Sequence, residues 1–219
     1  MERSYVSDLK SGQNVLLKGW VYEIRNLAKM KFLLLRDASG IVQCVIKSET
    51  KGFNEDLTLE SVVSVKGKTK PAKLTNQDLT IKNLEIEISE LQVLSKAEEL
   101  PIHVNEKTTT TSMDKRLDFR SLDVRKPKVK AIFKIQSVII NAFREFFFNK
   151  DFIEIQPPGI IATSTEGGTE LFPVDYFERK AYLAQSPQLY KQLMAISLER
   201  VFSTSAVWRA EKHDTSKHI

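Results

Sequence analysis

The stretch VWRAEKHDTSKHI, residues 207–219, sets Val and Trp directly before a dense run of charge. It carries Arg209, Glu211, Lys212, Asp214 and Lys217, with two of the chain's three histidines, His213 and His218. Such a run is either a solvated tail or part of a loop that gathers charge around a substrate. A second cluster lies in SPQLYKQLMAIS, where Ser186 and Pro187 have the types of a helix N-cap and first helical position. Gln188 and Lys191, three residues apart, then share one face, while Leu189, Leu193 and Ile196 turn toward a core. A single lysine on a helix is by default a solvated one. The third candidate is Glu166 in TEGG: Gly167 and Gly168 make either an ordinary turn or a loop able to close over a ligand. No GxGxxG or GxxxxGK[ST] occurs, which disfavours a Rossmann or P-loop nucleotide site.

The elements that must position these residues fall into two textures. Residues 1–95 read as strands: NVLLKGWVYEIR, KFLLLRD, GIVQCVI after the turn cluster DASG, SVVSVKGK, and LEIEISELQVL, where Leu84, Ile86 and Ile88 alternate with Glu85, Glu87 and Ser89. Five strands in so short a span predict a small closed barrel, an OB-fold or an SH3-like barrel; the OB-fold is the one best known for binding oligonucleotides. A polar segment with the run Thr108–Thr111 and no clear period reads as a linker. After Pro127, apolar residues recur at helical spacing through Val129, Ile132, Phe133, Ile139, Phe143, Phe146 and Phe147, widened by Ile135, Val138 and Ile140. So broad an apolar surface predicts burial between a sheet and other helices, or a subunit interface. DFIEIQPPG reads as a strand stopped by Pro157, Pro158 and Gly159, LFPVDYFERKAYLAQ as a hairpin turning near 178–180, and RVFSTSAVWRAE as a last strand. The expected organisation is a barrel domain over 1–100, a hinge over 101–126, and an α+β domain over 127–219.

Composition is that of an ordinary globular protein, 42% hydrophobic and 28% charged. The net charge is +5, and residues 112–134 hold eight Lys and Arg against three Asp, an excess equal to that of the whole chain. This is a solvated basic linker or a hinge that tracks phosphates. No run approaches the ~20 apolar residues of a membrane span. The start MERSYVSDLK has no apolar signal region, and Cys44 is the only cysteine, so no intrachain disulfide forms and a cytoplasmic location is expected.

Four segments then fall into a known order. KFLLLRDASGIVQCVI, FIEIQPPGI, ATSTEGGTELFPVDYFERKAYLAQSPQLYKQLM and VWRAEKHDTSKHI resemble the aspartyl-tRNA synthetases of archaeal and eukaryotic type, class II, subgroup b. The resemblance implies an anticodon-binding OB-fold, a hinge, and an antiparallel catalytic sheet flanked by helices. It matches the helix at 127–150 with FIEIQPPGI to motif 1, which builds a homodimer interface, and WRAE to the start of motif 2. The last residues then fall inside the motif 2 loop, with motif 3 and the Mg²⁺-binding carboxylates expected beyond this chain, which alone is expected to be inactive.

The implied reaction is ATP-dependent activation of L-aspartate to aspartyl-adenylate, then transfer to the 3′ end of tRNA(Asp), with tRNA(Asn) an open second acceptor. By the resemblance, Glu166, Ser186, Gln188, Leu189, Tyr190, Lys191 and Arg209 bind the amino acid. Arg209, Ala210, Glu211, Lys217, His218 and Ile219 bind ATP. Phe32, Gln43 and Glu85 read the anticodon, Phe32 by stacking and Gln43 by hydrogen bonding to the middle base. Tyr22 lies near a position that helps separate the anticodons of aspartate and asparagine tRNAs. Two other readings stay open: an asparaginyl-tRNA synthetase, and a non-catalytic tRNA-binding or dimerisation module.

Overall fold

The computed structural model describes residues 1–27, 30–53, 56–105, 110–162 and 171–210, with the backbone alone at Leu27. It divides into two compact units, Met1–Ala131 and Ile132–Ile219.

The first unit is a closed barrel of β1 (Asn14–Leu27), β2 (Met30–Arg36), β3 (Ile41–Ile46), β4 (Val62–Pro71) and β5 (Leu84–Ser95), joined in the order β1-β2-β3-β5-β4. All neighbours are antiparallel except β3 and β5, which pair in parallel through Cys44–Ile86 and Val45–Glu87. The alternation read over 84–89 is found: Leu84, Ile86 and Ile88 lie inside the barrel with Val15, Leu17, Leu33 and Leu35, while Leu34 turns outward. There Leu34 packs with Tyr22, Ile41, Leu79 and Val104 in a second buried cluster. Gly19 lets β1 approach β2, since a Cβ there would stand 2.4 Å from the Arg36 carbonyl oxygen. The DASG turn forms as expected: the Asp37 carboxylate accepts from the backbone N–H groups of Ser39 and Gly40, and its other oxygen from that of Val6.

The stretch read as a periodless linker holds two short helices, α1 (Met113–Asp118) and α2 (Arg120–Asp123). Periodicity does not announce them because they are ordered around one side chain. Asp123 is fully buried and accepts from Arg116 Nε at 2.8 Å and Arg120 Nη1 at 2.6 Å, with Lys126 Nζ at 3.3 Å. The Arg116 hydrogen bond, with Lys126 behind it, holds the Asp123 carboxyl below the usual carboxylate range against the opposing effect of burial. Two residues on, Arg125 Nη1 donates to Glu60 Oε2 at 2.9 Å, and Arg36 Nη2 donates to the same oxygen at 2.7 Å. Both guanidiniums also lie over the Trp20 ring. Glu60 is 5% exposed and has a left-handed backbone, φ 64°.

The second unit contains most of α3 (Pro127–Phe148), the parallel pair β6 (Ile153–Glu154) and β10 (Val201–Phe202), the antiparallel sheet β7 (Ile160–Ile161), β9 (Arg179–Leu183) and β8 (Pro173–Tyr176), and α4 (Gln188–Leu198). Its core is aromatic: Phe202 stacks on Phe147 at 4.9 Å and meets Phe143 and Phe148 edge-on. Arg144 donates to Glu154 and Thr204, tying α3 to β6 and the segment after β10. Among the described residues nothing covers the apolar surface of α3. Only Val129 is buried, while Ile132, Ile135, Val138 and Ile139 are 59–67% exposed. The long strand expected over 200–211 reduces to Val201–Phe202, because β6, its only partner here among the described residues, pairs at two positions.

Candidate nucleic-acid interface and catalytic half

On the outer face of the barrel, Phe32 follows the same alternation as Leu34 but lies nearer the strand start, where the second cluster no longer covers it. It is half-buried. Its Cα partners are Arg25 on β1 and Val45 on β3. One step along, Leu34 pairs with Gln43. Gln43 Nε2 donates to Glu85 Oε2 at 2.9 Å, across the parallel β3–β5 seam. The three barrel residues singled out from the sequence thus stand on one face of three adjacent strands: an aromatic ring, an amide and a carboxylate.

The sequence reading missed Arg25, which is registered directly beside Phe32. Glu23 holds it through Nε at 2.9 Å and Nη2 at 3.0 Å. That hydrogen-bonded pair pushes the guanidinium pKa up, so its charge is permanent. The signal was legible in EIR: on a strand, residues two apart share a face. Nearby, Lys70 and Lys47 both engage Glu87, and their hydrogen bonds, Lys70's first, lower its carboxyl pKa. Tyr22 is 4% exposed, in the outer cluster. Burial first, then the charge of Asp78, pushes its hydroxyl pKa up to about 12, so it is a neutral packing residue.

In the second unit, three segments far apart in sequence meet through backbone bonds. Ala184 N–H donates to the Gly159 carbonyl, and Trp208 N–H donates to the Ala184 carbonyl at 3.0 Å. Trp208 also rests against Gly159, whose built Cβ would stand 3.5 Å from the indole. The WRA segment with Arg209 and Ala210 is therefore laid beside the residues that lead into α4. Ser186 is not the N-cap of that helix. Pro187 takes the cap position, the first intrahelical bond runs from Lys191 N–H to the Pro187 carbonyl, and Ser186 Oγ accepts from Gln188 N–H at 3.2 Å. Gln188 is exposed, while Tyr190 and Lys191 are half-buried. Leu189, Leu193 and Ile196 do not enter a core here. They are 51%, 65% and 82% exposed, because no element among the described residues packs over that side of α4. Glu166, Glu211, Lys217, His218 and Ile219 lie outside the described residues. Among the described residues no group of three or more His, Cys, Asp or Glu is placed to hold a metal ion.

A closed five-stranded barrel with an outward ring, amide and cation is the architecture of an OB-fold, here followed by an α+β half. The chain belongs to the class II tRNA synthetases. The model of "tRNA synthetases class II (D, K and N)" matches residues 112–219, and that of the "OB-fold nucleic acid binding domain" matches residues 15–94. The chain is 44% identical over 225 residues to an aspartate–tRNA(Asp/Asn) ligase of Methanocaldococcus jannaschii, covering 98% of this chain and 50% of that protein. It is 41% identical over 227 residues to the ligase of the same name from Archaeoglobus fulgidus, covering 99% and 51%. Among solved structures, the asparaginyl-tRNA synthetase of Pyrococcus horikoshii complexed with asparaginyl-adenylate superposes with a TM-score of 0.87 at 34% identity, over 100% of this chain and 50% of that one. The aspartyl tRNA synthetase of Entamoeba histolytica gives 0.78 at 29%, over 100% and 48%. The chain spans about half the length of the curated relatives it matches.

Proposed function

We propose that this chain is the anticodon-reading and substrate-reading part of an aspartate–tRNA ligase. The observation that carries the reading is the Trp208–Ala184 hydrogen bond, which lays the Arg209 segment against the entry to α4, in a chain whose relatives are named aspartate–tRNA(Asp/Asn) ligases.

In the reaction, an oxygen of the aspartate α-carboxylate attacks the α-phosphorus of ATP. The bond to the bridging oxygen breaks and pyrophosphate leaves. The ribose hydroxyl at the tRNA 3′ end then attacks the carbonyl carbon of the adenylate, and AMP leaves. Both displacements depend on positioning and on stabilising developing charge. Arg209, with its planar fork, spans the α-phosphate and the substrate carboxylate. Lys191 meets the side-chain carboxylate, and Gln188 orients the amino acid above a surface formed by Ser186, Leu189 and Tyr190. Glu166 binds the ammonium. Glu211 accepts from the adenine amino group beside Ala210, and Lys217, His218 and Ile219 lie along the triphosphate. Mg²⁺ would neutralise the phosphates, but the described residues offer no carboxylate cluster that fits it, and no step is assigned to it.

On the barrel, Phe32 stacks on the middle anticodon base, Gln43 and Glu85 read its edge, and Arg25 adds a fixed cation. The exposed apolar face of α3 forms a homodimer interface, and the bare leucines of α4 are covered by further catalytic structure. No helix among the described residues is long and apolar enough to cross a membrane, and the one cysteine is unpaired, which suits a cytoplasmic enzyme.

The test is amino-acid-dependent exchange of labelled pyrophosphate into ATP by the protein at its full encoded length. Exchange with aspartate and not asparagine sustains the reading. Exchange with asparagine alone makes it an asparaginyl enzyme, and none with either makes it a tRNA-binding module.

A further inference from the structure

We infer that the barrel unit carries a small-molecule site of its own, a cavity between the end of β1, the turn before β4 and residues 98–105, built to take an organic cation with an apolar body and an ammonium head. It shares no residue with the proposed amino-acid and ATP sites, so it stands or falls apart from the ligase reading.

Hydrogen bonds frame the cavity. Val21 N–H donates to the Ser61 carbonyl and Glu60 N–H to the Val21 carbonyl, which ties the turn to β1. Thr58 Oγ1 donates to the Ala97 carbonyl at 2.6 Å, and Ala97 N–H donates to Ser61 Oγ at 3.0 Å, which pins the start of the third wall. Its far end is held by Val104, buried with Tyr22 and Leu34. Fixed at both ends, this wall encloses a space of about 570 Å³, a size that suits a small molecule.

The lining divides by chemistry. Leu57 and Val104 are buried, Ile24 and Leu100 half-buried, and Leu59 is 41% exposed, so an apolar body has a floor and a rim to lie against. Glu60 also lines the cavity, but its Oε2 is already shared by Arg36 and Arg125. Glu98 and Glu99 stand exposed at the mouth, and neither makes an ion pair among the described residues. No Lys or Arg lines the cavity, in a chain that has 33 of them and a net charge of +5. An anion entering it would meet two uncompensated carboxylates. An ammonium meets its counter-charge there and keeps water on its open side, while its apolar body leaves water for the floor.

The test titrates the unchanged chain with three probes of one shape, phenethylamine, phenylethyl alcohol and phenylpropionate, followed through backbone amide shifts in NMR spectra. Shifts are expected at residues 22–26, 57–61 and 98–105. The amine should bind about fivefold more tightly than the alcohol, the upper end for an exposed charge pair, and the propionate more weakly than the alcohol. Glu98→Gln combined with Glu99→Gln should bring the amine to the affinity of the alcohol and leave the alcohol unchanged. Leu59→Ala should weaken amine and alcohol alike, by about threefold. All three positions are exposed, so the fold is retained. Propionate binding as tightly as the amine, or an amine preference that survives the double Gln variant, overturns the inference. So do shifts that fall elsewhere on the chain, or none with any probe.

Discussion

At the scale of single residues, the barrel face makes a graded set of predictions. With Phe32 stacking on a base as proposed, Phe32→Ala should lower affinity for an anticodon stem-loop roughly tenfold or more in anisotropy titrations, since such stacking contributes ~1–3 kcal/mol per base. ATP binding should be unaffected. Arg25→Met should weaken binding whatever the middle base, since a fixed cation beside the ring adds attraction without reading an edge. How legible these residues were depended on geometry. Phe32, Gln43 and Glu85 were singled out by the family resemblance, and the two-residue period of a strand is what then sets them on one face. Arg25 escaped notice because its partner in space, Phe32, is set by the β1–β2 register, including the bulge between Val21 and Glu23. That bulge also places Tyr22 in the outer cluster.

At the scale of elements, the barrel strands declared themselves and the short helices did not. Five runs rich in β-branched, aromatic and Leu residues, one of them alternating, were enough for the barrel. The helices α1 and α2 depend on Asp123, whose partners lie seven and three residues before it and three after it, in a stretch that otherwise reads as solvated charge. Asp123→Asn should therefore loosen this segment, seen as faster amide exchange over 113–126. Because the Asp123 carboxyl titrates below its unfolded value near 3.9, its contribution is complete above that value and is lost as pH falls through the folded one. Acid unfolding of the unchanged chain should steepen below about pH 4, and the Asn variant should show a flatter profile. Glu60 makes a companion case. Removing it leaves Arg36 buried without its counter-charge, a loss of ~3–5 kcal/mol in urea unfolding. Glu60→Gly should be less damaging than Glu60→Ala by about 1 kcal/mol, since only glycine accepts the left-handed backbone there without strain.

At the scale of the whole molecule, the second unit was the less legible part. Its candidate residues come from segments around 159, 184 and 208 that only backbone bonds bring together, and no local period encodes such meetings. The apolar breadth of α3 was visible, but burial alone decided between a core helix and an uncovered one. A charge on that face, Val138→Glu, should shift sedimentation toward monomer if the face joins two copies, while leaving RNA affinity intact. RNA binding itself should weaken steeply with added salt, as counterion release requires of a chain with 33 Lys and Arg. Cys44 turns the barrel into its own gauge. The thiol is wholly enclosed at the β3–β5 seam, and burial pushes its pKa far up. An aromatic disulfide reagent can reach it only when the barrel opens. With no second cysteine in the sequence, the colour released over time is a clock for that opening alone, unblurred by whatever the rest of the chain is doing.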